Sequence, residues 1–330
     1  MATLAQWMIY GANGYTGRLV AKEAVRLKLK PILAGRRRET VEPIARSLGL
    51  EWRAFDLEKP NLEGVDLVLH CAGPFSATSK PMADALLKAG KHYLDITGEI
   101  AVFEALFARH QEAVKQGSMV VPGVGFDVVP TDCLGAQLKE RLVTATQLQM
   151  AMTGTGAVSP GTLKSMLEGF GKGGWVRRNG KLTSVPNFYE MKKIPFSFGE
   201  RWCTSIPWGD VSNAWYSTGI PNITFYAGVS QKAKWIKPFL PIVRKVVDQP
   251  ATQTLLKKLI EKYVPGPSEE HLNTGHMHLW GKASDDHGTS VEGWLDVPEG
   301  YKLTALTSVH IVQKILGGAV KPGVWLLARI

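Results

Sequence analysis

The sequence predicts an α/β fold in which an N-terminal doubly wound parallel Rossmann sheet precedes a C-terminal α+β domain on a mixed sheet. Over the first 130 residues, short apolar runs alternate with helical patterns of 10 to 18 residues. A glycine-rich turn follows the first apolar run, and near residue 130 the pattern changes to longer strand-like stretches rich in Gly and Trp. Continuously apolar strands between helices are typical of a parallel sheet that is covered on both faces.

The first domain, residues 1–130, is predicted to contain six strands separated by helices. The apolar runs are QWMIYG, PILAGR, LEWRAFD, VDLVLHCAG, HYLDITG and SMVVPGVGF. Apolar residues at helical spacing predict helices over YTGRLVAKEAVRLKL, ETVEPIARSLG, KPMADALLKAG and IAVFEALFARHQEAVKQG.

The second domain is expected at residues 131–301, where it would bind the substrate and mediate dimerisation. It begins with a connecting helix, PTDCLGAQLKERL, and continues with strand-like runs such as ATQLQMAMTGTG and NITFYAG. The final helix, at about residues 302–318, is expected to return to the first domain. A length of 330 residues agrees with two domains.

The net charge, the cysteine content and the N-terminus indicate which partners, metals and location to expect. With 39 basic and 29 acidic residues, the net charge of +10 favours anionic partners. The basic residues are spread out and form no nucleic-acid motif, so we expect no nucleic-acid partner. Three scattered cysteines offer no metal-ligand spacing, and no metal is predicted. The N-terminus does not look like a signal peptide, and the expected location is the cytoplasm.

The stretch IYGANGYTGRLV is predicted to bind the pyrophosphate of a dinucleotide. Gly11, Gly14 and Gly17 follow a strand and open a helix, which is the context that such a loop requires. Glycine permits the turn and a close approach of the backbone, and the helix N-terminus offers free N–H groups to phosphate. A glycine-rich turn without a ligand is the alternative. The loop residues Asn13, Tyr15 and Thr16 complete the predicted contacts.

The end of the second strand, LAGRRRE, indicates NADP(H) rather than NAD(H). An acidic residue at this position would bond the ribose hydroxyl of NAD, but Arg36, Arg37 and Arg38 occupy it. Guanidinium groups favour a 2′-phosphate through charge-assisted hydrogen bonds. The alternative is a basic helix start, which would oppose the helix dipole. Asp56 follows the third strand and is expected at the adenine edge, or as a turn cap.

Several segments resemble the saccharopine dehydrogenase-like family, with its short bacterial members and trans-acting enoyl reductases. They are IYGANGYTGRLVAKEA with ILAGRRRE, VLHCAGPFSATSKPMADALLKAGKHYLDITGE, VVPGVGFDVVPTDCLGAQL, VPGPSEEHLNTGHMHLWGKASDDHG and EGYKLTALTSVHIVQKIL. The resemblance implies a nicotinamide-binding Rossmann domain and an α+β domain that contacts substrate. Family members reduce imines or carbon–carbon double bonds, or have no assigned activity. The tail KPGVWLLARI is shorter than the family pattern.

Ligands bind at the carboxyl ends of parallel strands, so the strand tips supply the remaining candidates. The acid/base candidates are Glu99 and Asp127. The structural alternatives are a helix-terminal charge for Glu99 and a turn-shaping bond for Asp127. Around the nicotinamide and pyrophosphate, the predicted contacts are Ala72, Gly73, Pro74 and Phe75 at the fourth strand, and Gly125 and Phe126 at the sixth.

Three further features carry weaker predictions. His70 is expected to be a satisfied buried histidine, and a group of histidines between residues 271 and 287 is a weak metal signal. The turn TGTGAVSPGTLKSM would bind an anionic group or cap a helix. Residues 232–263 mix lysine with tryptophan and aliphatics, as expected of a substrate-channel cover, an anionic membrane contact or a packed helix pair.

The sequence therefore favours an NADP(H)-dependent oxidoreductase that uses NADPH to reduce a C=C or C=N bond. Its substrate would be a small molecule, with a hydrophobic or lipid-like one compatible with the second half. Two alternatives stay open: a dinucleotide-binding sensor or scaffold without turnover, and a membrane-peripheral lipid-handling protein. A homodimer paired through the α+β domain is also expected.

Overall fold

A computed structural model describes residues 6–154, 158–236 and 239–329. The chain forms two compact units, Met1–Val129 with Tyr301–Ile330, and Pro130–Gly300. No helix in the described ranges is long and apolar enough to cross a bilayer.

Strands and helices alternate through the first part of the chain. They are β1 (Trp7–Tyr10), α1 (Tyr15–Arg26), β2 (Ile32–Gly35), α2 (Arg38–Leu48), β3 (Trp52–Ala54), β4 (Leu67–His70), α3 (Phe75–Lys88), β5 (His92–Asp95), α4 (Ile100–Phe107), α5 (His110–Lys115) and β6 (Met119–Val121). The single helix predicted before β6 is thus two helices. Arg109 lies between them and pairs with Asp84 of α3 and Glu112 of α5.

The middle of the chain holds longer strands. The elements are α6 (Val129–Arg141), β7 (Gln147–Gly154), α7 (Pro160–Gly171), β8 (Gly174–Arg178), β9 (Lys181–Val185), β10 (Met191–Phe196), β11 (Gly199–Ser205), α8 (Asp210–Thr218), β12 (Asn222–Gly228), α9 (Ala233–Ile236), α10 (Leu240–Val247), α11 (Pro250–Tyr263), α12 (Glu269–Thr274), β13 (His276–Ser284) and β14 (Ser290–Pro298). The chain then forms α13 (Gly300–Leu316), β15 (Gly323–Val324) and a 3₁₀ turn at Leu327–Arg329.

The sheet of the first unit is parallel throughout and has the order β15-β6-β5-β4-β1-β2-β3. The order reverses between β1 and β4, and ligands bind at the carboxyl ends of strands beside such a reversal. The predicted fold class is confirmed. The short tail contributes β15, which pairs with β6 and adds a seventh strand.

Two apolar layers cover the first sheet because successive strand residues point to opposite faces. Ile9 belongs to the layer that includes Val309 and Val312 of α13. Met8 belongs to the opposite layer, which includes Met82 and other residues of α3. Helices on both faces leave β1, β2, β4, β5 and β6 fully buried, as their continuous apolar character predicts, whereas β3 at the sheet edge is partly exposed.

The second unit is built on a mixed sheet with the order β10-β11-β12-β7-β13-β14, and β8 and β9 extend from β12. β12 and β7 are parallel, whereas the other pairs are antiparallel. Leu134 and Leu138 of α6 lie over Gly281 of β13 and help cover one face of this sheet.

Candidate functional site

The glycine loop connects β1 to α1 and packs against the end of β4. At Gly11 and Gly17 it leaves no room for a side chain. Gly11 has a φ of +88°, which favours glycine, and a Cβ there would lie 2.7 Å from the backbone nitrogen of Ala72. A Cβ on Gly17 would overlap the carbonyl oxygen of Gly11. The backbone N–H groups of Gly11 and Ala12 both donate to the carbonyl of Ala34, at 2.8 and 3.1 Å. The loop is therefore closed tightly against the sheet.

The N-terminus of α1 suits an anion. Gly14 is the N-cap residue and is exposed, no side chain caps the helix, and its first turn contains no acidic residue. The first N–H groups of a helix carry partial positive charge and bind phosphate well. The neighbouring loop residues also have defined positions. The Asn13 side chain lies against Gly35, and the ring of Tyr15 meets that of Tyr301 edge-on at 5.2 Å. Thr16 lies in the first turn and is partly buried.

The three arginines after β2 differ in what they contact. Arg38 Nε lies 2.8 Å from Glu42 Oε2, and the guanidinium stacks over Trp52. Arg37 is exposed, 3.8 Å from Glu39. Arg36 is exposed and makes no ion pair within the described ranges. Arg36 is thus the arginine most available to a phosphate, and Arg38 is engaged elsewhere.

Arg36 and Asp56 act on the same buried hydroxyl. Burial and the nearby Asp56 carboxylate together raise the pKa of Tyr10 to about 12, against the opposite effect of Arg36. The Tyr10 hydroxyl donates to the Phe55 carbonyl at 3.2 Å. Asp56 itself accepts the backbone N–H of Glu58 at 3.1 Å, so it performs the turn-capping role that was the structural alternative. Its proximity to adenine stays a prediction.

The tips of β4 and β5 are joined by Glu99. Its Oε1 accepts the backbone N–H of Phe75 at 2.8 Å, and its Oε2 accepts that of Ser76 at 2.9 Å. These N–H groups belong to the first turn of α3, whose N-cap residue is Pro74, next to Ala72 and Gly73. Glu99 therefore caps a neighbouring helix, and not α4, which begins directly after it. If Glu99 acted as an acid or base, it would have to use carboxylate oxygens that already accept hydrogen bonds from the backbone N–H groups of Phe75 and Ser76.

A buried carboxylate joins the tips of β5 and β6. Asp95 Oδ1 accepts the backbone N–H groups of Thr97 and Gly123, at 3.0 and 2.9 Å, and Oδ2 accepts the Tyr93 hydroxyl at 2.7 Å. Burial raises the pKa of Asp95 to about 6, against the effect of these donors. Asp95 thus holds both strand tips in one arrangement.

The turn after β6 places the other acid/base candidate. A Cβ on Gly98 would overlap the carboxylate of Asp127, so this carboxylate lies directly against the tip of β5. Asp127 is partly exposed. The structure thus brings Glu99 and Asp127 to one edge of the first sheet.

Side chains of α13 form hydrogen bonds with the turn after β6. The sequence did not predict these contacts. Thr304 Oγ1 accepts the backbone N–H of Phe126 at 2.9 Å and leaves no space for a Cβ on Gly125. Thr307 Oγ1 donates to the Val124 carbonyl at 2.8 Å. The available signal was the helical spacing of the hydroxyl residues Thr304, Thr307 and Ser308, which alternate with apolar residues of this helix.

His70 lies buried behind the tip of β4. Its Nε2 is 3.0 Å from Thr78 Oγ1, which donates to the carbonyl of Ala72, so the histidine is the donor in this pair. The other ring nitrogen, Nδ1, has no hydrogen-bond partner among the described residues. Burial lowers the pKa of His70 to about 3. The expectation of a satisfied histidine is therefore met at one nitrogen and wrong at the other.

The remaining weak signals lie in the second unit. His278 pairs with Asp296 at 2.7 Å, and within the described residues no three His, Cys, Asp or Glu side chains are grouped to hold a metal. Residues 155–157 of the glycine-rich turn lie outside the described residues. Ser159 of that turn caps α7 by accepting the backbone N–H of Thr162 at 3.2 Å.

Comparison with known proteins decides the nature of the glycine-loop domain. Residues 7–121 match the model of the saccharopine dehydrogenase NADP binding domain. Over these residues the chain is similar to a saccharopine dehydrogenase-type NADP-binding domain. The match confirms both the predicted resemblance and the predicted cofactor.

Two curated proteins that are similar to this chain have names that describe oxidoreductases or reductases. A saccharopine dehydrogenase-like oxidoreductase from Rattus norvegicus is 27% identical over 237 residues, which cover 61% of this chain and 53% of the relative. A trans-acting enoyl reductase from Mycobacterium tuberculosis is 30% identical over 149 residues, which cover 41% and 36%. The chain thus spans about half the length of the curated relatives it matches, or less.

The fold is similar to that of a saccharopine dehydrogenase (L-Glu forming) from Saccharomyces cerevisiae. The TM-score is 0.63 at 11% sequence identity, and the match covers 97% of this chain and 93% of the yeast chain. At this identity the similarity concerns the fold alone.

Proposed function

We propose that the protein is an NADP(H)-dependent oxidoreductase that uses NADPH to reduce a C=C or C=N bond. The observation that carries this proposal is the glycine loop, where a Cβ on Gly11 or Gly17 would collide with backbone. The loop lies at the strand-order reversal of a domain that matches an NADP-binding model. Relatives named oxidoreductase and enoyl reductase support the reaction class.

Different residues of the NADP-binding domain would bind different parts of the cofactor. The loop from Gly11 to Gly17 and the first N–H groups of α1 would bind the pyrophosphate. Arg36, with Arg37 beside it, would bind the 2′-phosphate, and Asp56 would lie at the adenine side. The nicotinamide side would be formed by Ala72, Gly73, Pro74, Phe75, Gly125 and Phe126. When bound, NADPH supplies a hydride, and the protein supplies orientation and a proton.

We propose Asp127 as the residue that exchanges this proton, and Glu99 as a positioning residue. Both residues are partly exposed at the same sheet edge, with Asp127 Oδ1 buried, but Glu99 is held through both oxygens by the start of α3. Loss of Glu99 would therefore displace Phe75 and Ser76 first. Under this assignment, Asp127→Asn reduces turnover, and Glu99→Gln acts mainly through stability.

The second unit would contribute the substrate contacts and a dimer interface, and the substrate would be a small hydrophobic or lipid-like molecule. The cytoplasmic location also stays a prediction. A second candidate function is a dinucleotide sensor or scaffold without turnover. The engagement of Glu99 by backbone donors favours it, because it removes one of the two acid/base candidates.

The test is a titration of the purified protein with NADPH and NADH, followed by nicotinamide fluorescence. We expect tight binding of NADPH and weak binding of NADH. NADPH oxidation is then measured at 340 nm with a panel of α,β-unsaturated thioesters and cyclic imines. Binding without oxidation of any panel member would favour the sensor, and no binding of either nucleotide would reject both functions.

A further inference from the structure

Large apolar side chains are exposed on one group of helices in the second unit. Seven of them are 41–70% exposed: Trp235, Phe239, Val243, Val246, Leu255, Leu259 and Tyr263. They make up half of the fourteen large exposed apolar residues in the described part of the chain, within a segment of 29 residues. We call these seven residues the apolar rows.

The apolar rows follow the helix period. Phe239, Val243 and Val246 are spaced by four and three residues along α10 and its start, and Leu255, Leu259 and Tyr263 by four and four along α11. Residues at this spacing lie on one face of a helix. Each helix therefore presents an apolar stripe at its surface.

Polar contacts hold the inner side of α11 and do not cover the stripe. Gln253 donates to the Leu167 carbonyl of α7 at 3.2 Å, and Lys257 pairs with Glu168 of α7. Lys164 of α7 pairs with Glu261 at 3.0 Å. Neither α7 nor α11 contains a buried residue. Hydrogen bonds and ion pairs thus help to join the two helices, while Leu255, Leu259 and Tyr263 of α11 stay exposed.

A slightly longer stretch that contains the apolar rows, residues 232–263, carries more than half of the net charge of the protein. Residues 232–263 contain eight Lys and Arg against two acidic residues, a net charge of +6 out of the +10 of the whole chain. Lys245, Lys258 and Lys262 are exposed beside the apolar rows. Clusters of Lys and Arg next to apolar side chains are attracted to anionic lipid headgroups.

We propose that α10 and α11 bind the surface of an anionic phospholipid bilayer. The apolar rows would enter the boundary between headgroups and acyl chains, where Trp and Tyr are favoured, and the lysines would meet the lipid phosphates and carboxylates. A second copy of the chain fits less well, because two surfaces of charge +6 repel each other. The helices lie on the membrane and do not cross it, since none in the described ranges is long and apolar enough.

The experiment is co-sedimentation of the full chain with phosphatidylcholine vesicles that contain or lack phosphatidylserine, at low and high salt. We expect binding only to the phosphatidylserine vesicles, weakened by salt. Lys258→Glu combined with Lys262→Glu should lower vesicle affinity at least tenfold. Leu255→Gln combined with Leu259→Gln should do the same, because it removes buried apolar area.

Two control variants change an exposed lysine and an exposed aliphatic residue elsewhere in the second unit. Lys181→Glu and Val143→Gln alter exposed residues outside the two helices and should keep wild-type affinity. All variants are checked for NADPH binding, which should be unchanged since the altered side chains lie outside the NADP-binding domain. Equal binding to neutral vesicles, equal loss in the controls, or no vesicle binding would overturn the proposal. A dimer in sedimentation velocity that the Leu255/Leu259 variant abolishes, without vesicle binding, would assign the surface to self-association instead.

Discussion

The glycine loop and the α10–α11 pair are opposite kinds of surface in one protein. In the loop, a single added carbon on Gly11 or Gly17 would collide with backbone. On the two helices, side chains as large as Leu255 and Tyr263 extend into solvent. The first surface suits a small ligand of fixed shape, which is recognised by backbone geometry. The second suits a broad partner without fixed shape, which is recognised by charge and apolar area. Mutations should therefore act on the two surfaces in different ways.

The largest effect is expected where the loop is filled. Gly14→Val should lower the affinity for both NADPH and NADH at least a hundredfold, about 3 kcal/mol or more, because its side chain would occupy the space in front of α1. The fold should be retained, since Gly14 is exposed. The measurement is fluorescence titration, with circular dichroism to verify folding. Gly169→Val is the control, because a Cβ at Gly169 meets nothing within 4 Å. Unchanged affinity in Gly14→Val would show that phosphate binds elsewhere.

A second prediction concerns stability in acid, which depends on the buried side chain of His70 at the end of β4. Folded His70 stays neutral down to about pH 3, whereas the unfolded imidazole takes up a proton below about 6.5. The free energy of unfolding should therefore fall as the pH decreases from about 6.5 to about 4.5, by about 2 kcal/mol from this group. His70→Gln cannot titrate and should lack this decrease.

Urea unfolding of both proteins across this pH range measures the difference. Asp95 has the opposite effect, because its pKa is raised by burial and its neutral form is favoured in the fold. That contribution is present in both proteins and cancels in the comparison. Parallel pH profiles for the wild type and His70→Gln would contradict the buried, uncharged state of His70.

A third prediction tests which arginine after β2 recognises the 2′-phosphate of the cofactor. Arg36→Asp should weaken NADPH binding by roughly 1–3 kcal/mol, the range of a charge-assisted hydrogen bond, and leave NADH binding equal or improved. Arg38→Gln should change neither, because Arg38 is engaged by Glu42 and Trp52. Titration with both nucleotides tests this. An equal loss of NADPH and NADH affinity in Arg36→Asp would mean that Arg36 does not recognise the 2′-phosphate.

The smallest effect is expected at Glu99. Glu99→Gln replaces one of two accepting oxygens with an NH₂ group, so one N–H of α3 loses its partner. The free energy of unfolding should fall by about 1–2 kcal/mol, measured by urea unfolding at pH 7. Glu58→Gln, at an exposed carboxylate, should stay within about 0.5 kcal/mol of the wild type. Unchanged stability together with abolished turnover would make Glu99 a catalytic residue and contradict its positioning role.

The sequence predicted the parts of the fold that depend on local pattern. The strands β1, β2, β4 and β5 lie where continuous apolar runs placed them, because strands buried on both faces need such runs. The division of the helix before β6 was missed; Arg109 at this division pairs with Asp84 of α3, a contact between segments that are distant in sequence. Likewise, a charge at a helix terminus was the structural alternative for Glu99, but only the structure shows that its carboxylate bonds to the start of α3.

What the sequence determined by itself is therefore the alternation of strands and helices, the glycine loop and the basic end of β2. These depend on residue type and spacing within about twenty residues, so they can be seen without any fold. The tertiary structure alone decided that Arg36 is available while Arg38 is not, and that Glu99 caps α3. It also brought Thr304 beneath the turn at Gly125 and left the apolar rows exposed. These outcomes depend on contacts between segments that are far apart in the chain, and no local pattern encodes them.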